Sequence, residues 1–321
     1  MRPATREPAL TDVQAAWDRI AAHIARTPVL TSRTLDAETG LRLFFKCENL
    51  QRAGVFKARG AHNAVFALRD EEARNGVLTH SSGNHGAALS LAAATRGIRA
   101  YIVVPENAPA LKVEAIRRYG GIITFCRPTL ADREATAERI AAETGATLIH
   151  PYDNTNVIAG QGTVALEFLA EVSNLDVILA PVGGGGLLSG IAITAKGIKP
   201  SIRVFGAEPA GADDATRSLE AGQLIPQTDP KTIADGLRTS LAPVTFSILR
   251  RHAEGIITVS EPAIVEAMRQ LWTVLKIVVE PSSAVAFAAT LAAAPRLRGL
   301  RVGIVLSGGN VDPKTVPWEK P

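Results

Sequence analysis

Apolar residues along this chain gather in short runs, separated by longer stretches with helical spacing. The runs at residues 41–47, 77–79, 100–104, 122–125, 147–149, 177–180, 204–207, 256–259 and 302–306 predict strands. Apolar positions over 84–96, 110–119, 131–144 and 187–197 predict helices, and another helix follows Lys57 to about Leu68. Thr11-Asp12-Val13-Gln14 reads as a capping box that opens an amphipathic helix running to about Ala25. Strand–helix alternation predicts an α/β fold, with a mainly parallel sheet covered by helices on both faces. No internal repeat, low-complexity segment or long linker interrupts the pattern.

Composition narrows the class. A chain of 321 residues makes one large α/β unit or two linked lobes, and a hydrophobic share of 46% supplies a sizeable core. Aromatic residues are only 5%, so small side chains must pack the helices onto the sheet. The net charge of +4 is dispersed, with no Lys/Arg run that interleaves aromatics, so no nucleic-acid partner is expected. No apolar run approaches the ~18 residues of a membrane span, and residues 1–8 carry no apolar signal region. A cytoplasmic location without a membrane partner is expected. Cys47 and Cys126 lie far apart in apolar stretches and read as buried small hydrophobes, not as a disulfide.

The chemistry lies in the loops. In parallel sheets ligands bind at the carboxyl ends of strands, where loops enter helix N-termini. Three small-residue loops sit there: Ser81-Ser82-Gly83-Asn84-His85-Gly86, Gly183-Gly184-Gly185-Gly186 and Ser307-Gly308-Gly309-Asn310. Four glycines let backbone N–H groups converge on an anion, helped by the helix that follows. A tight turn is the plainer reading, but it needs fewer glycines. The spacing of Gly183, Gly185 and Gly190 departs from a dinucleotide fingerprint, although Glu208 stands near where that fingerprint places its acidic residue.

The Ser81 loop has the hydroxyls and N–H groups to hold a carboxylate, and capping alone needs only one such side chain. Lys57, in Gly54-Val55-Phe56-Lys57-Ala58-Arg59-Gly60, sits near a helix start beside a second cation. That setting would depress its pKa and favour a Schiff base; taken alone, it is also the setting of an ordinary solvated lysine. Glu208, Asp213 and Asp214 follow a strand and suit a hard cation such as Mg²⁺ or Ca²⁺, with Asp213 as a helix N-cap the alternative. An amine, a carboxylate cradle, a phosphate cradle and a hydroxyl cap are together the parts that hold pyridoxal phosphate (PLP).

From Thr27-Pro28-Val29-Leu30 to Ser307-Gly308-Gly309-Asn310-Val311-Asp312 the chain resembles the fold-type II PLP enzymes, in the branch of serine/threonine dehydratases and serine racemases. The motifs are Phe56-Lys57-Ala58-Arg59-Gly60-Ala61, the Ser81 loop, Val157-Ile158-Ala159-Gly160-Gln161-Gly162-Thr163, the tetraglycine and Glu280-Pro281-Ser282-Ser283. The resemblance implies a tryptophan synthase β-like fold of two lobes. Residues 1–70 and 150–321 would form the large PLP-binding domain, and 71–149 the small one. Lys57 would carry PLP, with Phe56 against its ring, Asn84 at the ring hydroxyl, Gly183 to Gly186 on the phosphate and Ser307 at the pyridine nitrogen. Ser81, Asn84 and His85 would hold the substrate carboxylate, and Arg133 a distal carboxylate. Ser82 resembles the second acid/base of the racemases, on the ring face opposite Lys57. Glu208, the Ala212 carbonyl and Asp214 match a divalent-cation site, for Mg²⁺ or else Mn²⁺ or Ca²⁺.

There are departures from the family pattern. Val55 stands where serine or alanine is common, and it is expected to narrow the space beside the cofactor. His62 is unusual after Gly60-Ala61. The sequence ends shortly after the last motif, so feedback control by an end-product amino acid is not expected. The resemblance implies an ammonia-lyase that converts serine, threonine or 3-hydroxyaspartate to a 2-oxo acid and ammonia. A serine- or aspartate-type racemase is the first alternative, and a non-catalytic PLP-binding protein the remote one. A homodimer is expected.

Overall fold

The computed structural model describes residues 5–81 and 83–318. In chain order its strands are β1 (Val29–Leu30), β2 (Arg42–Cys47), β3 (Val77–His80), β4 (Ala100–Pro105), β5 (Ile122–Cys126), β6 (Thr147–Leu148), β7 (Val177–Pro181), β8 (Arg203–Pro209), β9 (Gly255–Val259) and β10 (Arg301–Leu306). They form two sheets. The larger has the order β1-β2-β10-β7-β8-β9, and the smaller β5-β4-β3-β6. Every pairing is parallel except β1 with β2. All strands of the smaller sheet lie between residues 77 and 148.

The central apolar runs became strands because helices cover both faces there, while the edge strand β5 leaves Ile122 and Phe125 exposed. β7 is buried at every position, and β10 at every position but its first. The helix Pro281–Leu297 packs its Val285, Phe287 and Ala289 into the large-sheet core with Leu43, Phe45 and Ile304. On the smaller sheet, the alanine-rich helix Asn84–Arg96 buries Ala88, Leu89 and Ala92 against Ile102 and Val104.

The first helix differs from its sequence reading. It spans Leu10–Ile20, with Ala9 as N-cap, so Thr11 lies inside it. The Asp12 carboxylate accepts from the Ala9 N–H at 2.7 Å, which satisfies one of the free donors of the first turn. The capping acid is Asp12, and the capping box read at Thr11 is not formed. Both cysteines are free and buried, and burial pushes the Cys47 thiol up to about 12. Among the described residues no helix is long and apolar enough to cross a membrane.

Candidate active site

One cleft gathers most of the residues singled out from the sequence. Phe56, Lys57, Ser81, Asn84, His85, Arg133, the four glycines and Ser307 all line it. The topology explains why. The loops after β3, β7 and β10 leave parallel strands at their carboxyl ends and enter helices or turns there. Ser82 lies outside the described residues.

Lys57 is the first residue of the helix Lys57–Phe66. Its neighbours are stitched to the loop after β10. Phe56 N–H donates to the Ser307 carbonyl at 2.9 Å, Val55 bridges Gly308, and Gly309 N–H donates to the Gly54 carbonyl at 2.9 Å. The lysine and the serine hydroxyl are therefore held in register by backbone. Lys57 Nζ donates to the Pro151 carbonyl at 3.0 Å, and burial lowers its pKa from 10.5 to about 8. Val55 does not narrow the cleft: it is fully buried, pairs with Gly308 and is absent from the lining. His62 also faces elsewhere. It is stacked against His23 and Phe66, its Nδ1 lies 2.7 Å from the Ala58 carbonyl, and burial lowers its pKa to about 4.

Beneath this turn is a dry cluster of charges. Arg59 reaches Glu48 through Nε and Nη2, both at 2.7 Å, and Glu167 at 3.2 Å. Lys46 Nζ lies 2.5 Å from Glu167, so two cations balance two carboxylates with almost no solvent contact.

The Ser81 loop opens the helix Asn84–Arg96, and Ser81 Oγ accepts from the Gly83 N–H at 3.3 Å. Asn84 Nδ2 donates to Glu280 at 2.7 Å, and its Oδ1 accepts from Asn310 at 2.9 Å. His85 is buried with its Nδ1 unpartnered, and its Nε2 is 3.4 Å from the Ile149 carbonyl. Burial, and then the nearby Lys57, hold its pKa well below the usual imidazole range, so the ring is neutral. Arg133 reaches the cleft from the helix Leu130–Thr144, its Nε 3.4 Å from the Thr129 carbonyl.

The expected cation ligands lie at the end of β8 and the start of the helix Asp214–Ala221. Glu208 accepts from the N–H groups of Ala215 and Thr216, both at 2.9 Å. Asp214 Oδ2 accepts from Leu241 N–H at 3.2 Å, while its Oδ1 is buried without a partner. Burial raises Glu208 to about 7 and Asp214 to about 6. Asp213 is the N-cap by position, but its carboxylate pairs with Arg217 at 2.7 Å instead of capping. Among the described residues no group of three or more His, Cys, Asp or Glu side chains is arranged to hold a metal.

Some cleft residues escaped the sequence reading. Lys112 is buried between Asp235 at 2.5 Å and Glu280 at 3.4 Å, joining a helix beside the smaller sheet to elements of the larger. Tyr152 lies against the tetraglycine loop. The motif Glu280-Pro281-Ser282-Ser283 marks Glu280 in the sequence but assigns it no role. Nothing local marks Lys112 or Tyr152.

The residues fit PLP. A half-buried amine of lowered pKa stands in one cleft with a four-glycine loop at the N-terminus of the helix Gly186–Ile198 and with a buried serine, Ser307, 3% exposed. Residues 20–308 match the family of pyridoxal-phosphate dependent enzymes. The chain is 50% identical to a serine racemase of Oryza sativa subsp. indica, over 96% of this chain and 92% of that protein. It is 49% identical to a beta-hydroxyaspartate dehydratase of Paracoccus denitrificans (strain Pd 1222), over 97% and 99%. The solved structure of maize serine racemase superposes with a TM-score of 0.94 at 47% identity, covering 97% of this chain and 96% of that one.

Proposed function

This chain belongs to the pyridoxal-phosphate-dependent enzyme family, and from that premise we propose that it is an ammonia-lyase acting on a β-hydroxy amino acid, with 3-hydroxyaspartate as the favoured substrate. The observation that carries this reading is Arg133 in the lining of the cleft that also holds Lys57, Ser81, Asn84 and His85. The likeness to a beta-hydroxyaspartate dehydratase over almost the full length of both chains supports it. Serine and threonine are the neutral alternatives.

PLP, when bound, supplies an electron sink for the bonds at the amino acid's α-carbon. Lys57 would hold it through the amine, Gly183 to Gly186 through backbone N–H groups on the phosphate, Asn84 at the ring hydroxyl and Ser307 at the ring nitrogen, with Phe56 against the ring. Ser81, Asn84 and His85 would hold the substrate carboxylate, and Arg133 would take the distal one. Lys57 Nζ, in its neutral form, takes the proton from the α-carbon, and the β-hydroxyl departs. Water is lost in that step and returned when the resulting enamine hydrolyses, so the net products are a 2-oxo acid and ammonia. A serine at Ser307, in place of a carboxylate, leaves the ring nitrogen without a forced proton. That weakens the sink and favours loss of a β-group over transamination.

Glu208, the Ala212 carbonyl and Asp214 form a divalent-cation site in this reading, for Mg²⁺ or else Mn²⁺ or Ca²⁺. The unpartnered Asp214 Oδ1 and the two buried carboxylates support it, because an oxygen-ligated cation would neutralise both. Residues 71–149 are the small domain and 1–70 with 150–321 the large one. The active form is a cytoplasmic homodimer.

The test is a screen for 2-oxo acid release from L-serine, L-threonine and the isomers of 3-hydroxyaspartate. Release from 3-hydroxyaspartate at the highest kcat/KM is expected; release from none of them would refute the proposal.

The second reading is racemisation, favoured by the 50% identity to a serine racemase. It needs a proton donor opposite Lys57, and Ser82 is the candidate. Chiral analysis of the amino-acid pool separates the two readings. Ser82→Ala should abolish racemisation and D-substrate elimination while sparing elimination from the L-substrate.

A further inference from the structure

The tetraglycine loop does not shape itself. A Cβ on Gly184 would collide with the ring of Tyr152, and a Cβ on Gly186 would lie 2.9 Å from the Tyr152 Cβ. The loop backbone thus rests on the tyrosine, at a distance only glycine permits. Gly185 adopts a φ of +83°, with Leu241 and Thr245 pressed against its far side. Thr245 Oγ1 donates to the Gly184 carbonyl at 3.0 Å. In a trans peptide the C=O and the following N–H point opposite ways, so that bond leaves the Gly185 N–H on the side away from Thr245.

Tyr152 is itself held from several directions. His150 Nδ1 accepts from Asp153 N–H at 2.9 Å and Tyr152 N–H at 3.4 Å, and the two rings meet edge to face with centroids 4.7 Å apart. One residue therefore supports Gly184 with its ring and Gly186 with its Cβ and backbone. Tyr152 also lines the cleft, and the preceding residue, Pro151, receives the Lys57 ammonium.

We propose that Tyr152 is a positioning residue for the phosphate cradle: its ring is the flat support that aims the N–H groups of Gly183 to Gly186 and keeps water from behind them. The proposal rests on the PLP reading of that loop. N–H groups converge on an anion only while the loop keeps one shape. A glycine run has little intrinsic preference for any shape, so the shape must come from what it is pressed against. Removing the ring releases the loop and admits water, weakening each charge-assisted hydrogen bond to the phosphate. The amine of Lys57 would bind the aldehyde and not the phosphate, and it keeps its own partner in the Pro151 carbonyl.

The test compares PLP with pyridoxal, which has the same aldehyde but no phosphate. Cofactor-free wild type, Tyr152→Ala and Tyr152→Phe are titrated with each, following the visible absorption band. Tyr152→Ala is expected to lose about tenfold or more in PLP affinity, the effect of about one charged hydrogen bond, while pyridoxal affinity changes by less than about threefold. Tyr152→Phe keeps the ring, and its PLP affinity should stay within about threefold of wild type. Unchanged PLP affinity in Tyr152→Ala, or equal loss of PLP and pyridoxal, overturns the assignment. If the alanine variant does not fold, Tyr152→Leu, which keeps apolar volume without a flat face, carries the same comparison. A wild type with no preference for PLP over pyridoxal would overturn the phosphate reading of the loop itself, and this proposal with it.

Discussion

The Lys57 ammonium donates to the Pro151 carbonyl at 3.0 Å, a neutral dipole where a buried lysine would ordinarily need a carboxylate. Its side chain is half-buried, and its nitrogen is 5.1 Å from the centroid of the Phe56 ring. The carboxylates of this region, Glu48 and Glu167, are taken by Arg59 and Lys46. The chain thus keeps two cations as charges and a third as a latent amine. Sorting basic groups in this way is what a reactive lysine requires.

The first prediction follows from the lowered pKa. In cofactor-free protein, Lys57 should react with an amine-directed reagent with a midpoint near pH 8, well below the ordinary lysine value of 10.5. Mass analysis after pulse labelling across pH measures this. The same shift bears on stability. Between about 8 and 10.5 the unfolded chain binds the proton that folded Lys57 has shed, so the stability contribution rises with pH across that window. A labelling midpoint near 10.5 would contradict the burial argument.

The second concerns the cation site. An ion bound only by the folded state stabilises it by mass action, about 2.7 kcal/mol at 100 times Kd, or roughly 5 °C in Tm for a chain of this size. Chelator should lower Tm and activity, and Mg²⁺, Mn²⁺ or Ca²⁺ should restore both. Asp214→Ala should have a low Tm that neither chelator nor ion moves. An undiminished chelator response in that variant would exclude Asp214 as a ligand.

The third concerns the buried charges beneath the lysine. Burial alone would raise the pKa of Glu48, but the charge and hydrogen bonds of Arg59 outweigh it and hold the carboxyl below its ordinary value. Arg59→Met leaves two dry carboxylates with Lys46 alone, a loss of about 3–5 kcal/mol in unfolding free energy. Denaturant titration should find that loss. Arg59→Met with Glu48→Gln should recover part of it, because the stranded charge is then gone. No recovery would mean that lost packing, and not charge, sets the cost.

What the sequence made legible divides by range. Strand runs such as 177–180 and 302–306 were readable because burial on both faces demands continuous apolar residues, and the structure extends them by only a residue or so. The helix Asn84–Arg96 was read to its ends, since a Ser-Ser-Gly loop precedes it and Gly97 closes it in the left-handed region. The first helix was read as starting too late, because Asp12 serves Ala9, a residue with no capping signature of its own. β1 is only two residues long and exists by pairing with β2, so no periodicity could reveal it. In the cleft, the glycine and serine loops announced themselves by composition. Lys112 and Tyr152 did not, because Lys112 meets Asp235 across 123 positions and Tyr152 meets the glycines only once β7 is in place.

The last prediction separates an acidic from a neutral substrate at the same site. Arg133 is a half-buried guanidinium of the cleft, bonded weakly to the carbonyl of its helix's N-cap, Thr129, whereas Lys112 is already committed to Asp235 and Glu280. A second carboxylate entering the cleft would therefore meet Arg133 as its ready partner, and would be repelled by Asp235 if Lys112 were not there. A charge-assisted hydrogen bond contributes about 1.5–3 kcal/mol. Arg133→Ala should then lower kcat/KM for 3-hydroxyaspartate by roughly 10- to 100-fold, mostly through KM, and leave serine within about threefold. Arg133→Lys should recover only part, because an ammonium lacks the planar fork. If the alanine variant lost activity on serine and 3-hydroxyaspartate to the same degree, Arg133 would be acting on a feature the two share, the α-carboxylate or the cleft's shape, and its role in choosing an acidic substrate would be wrong.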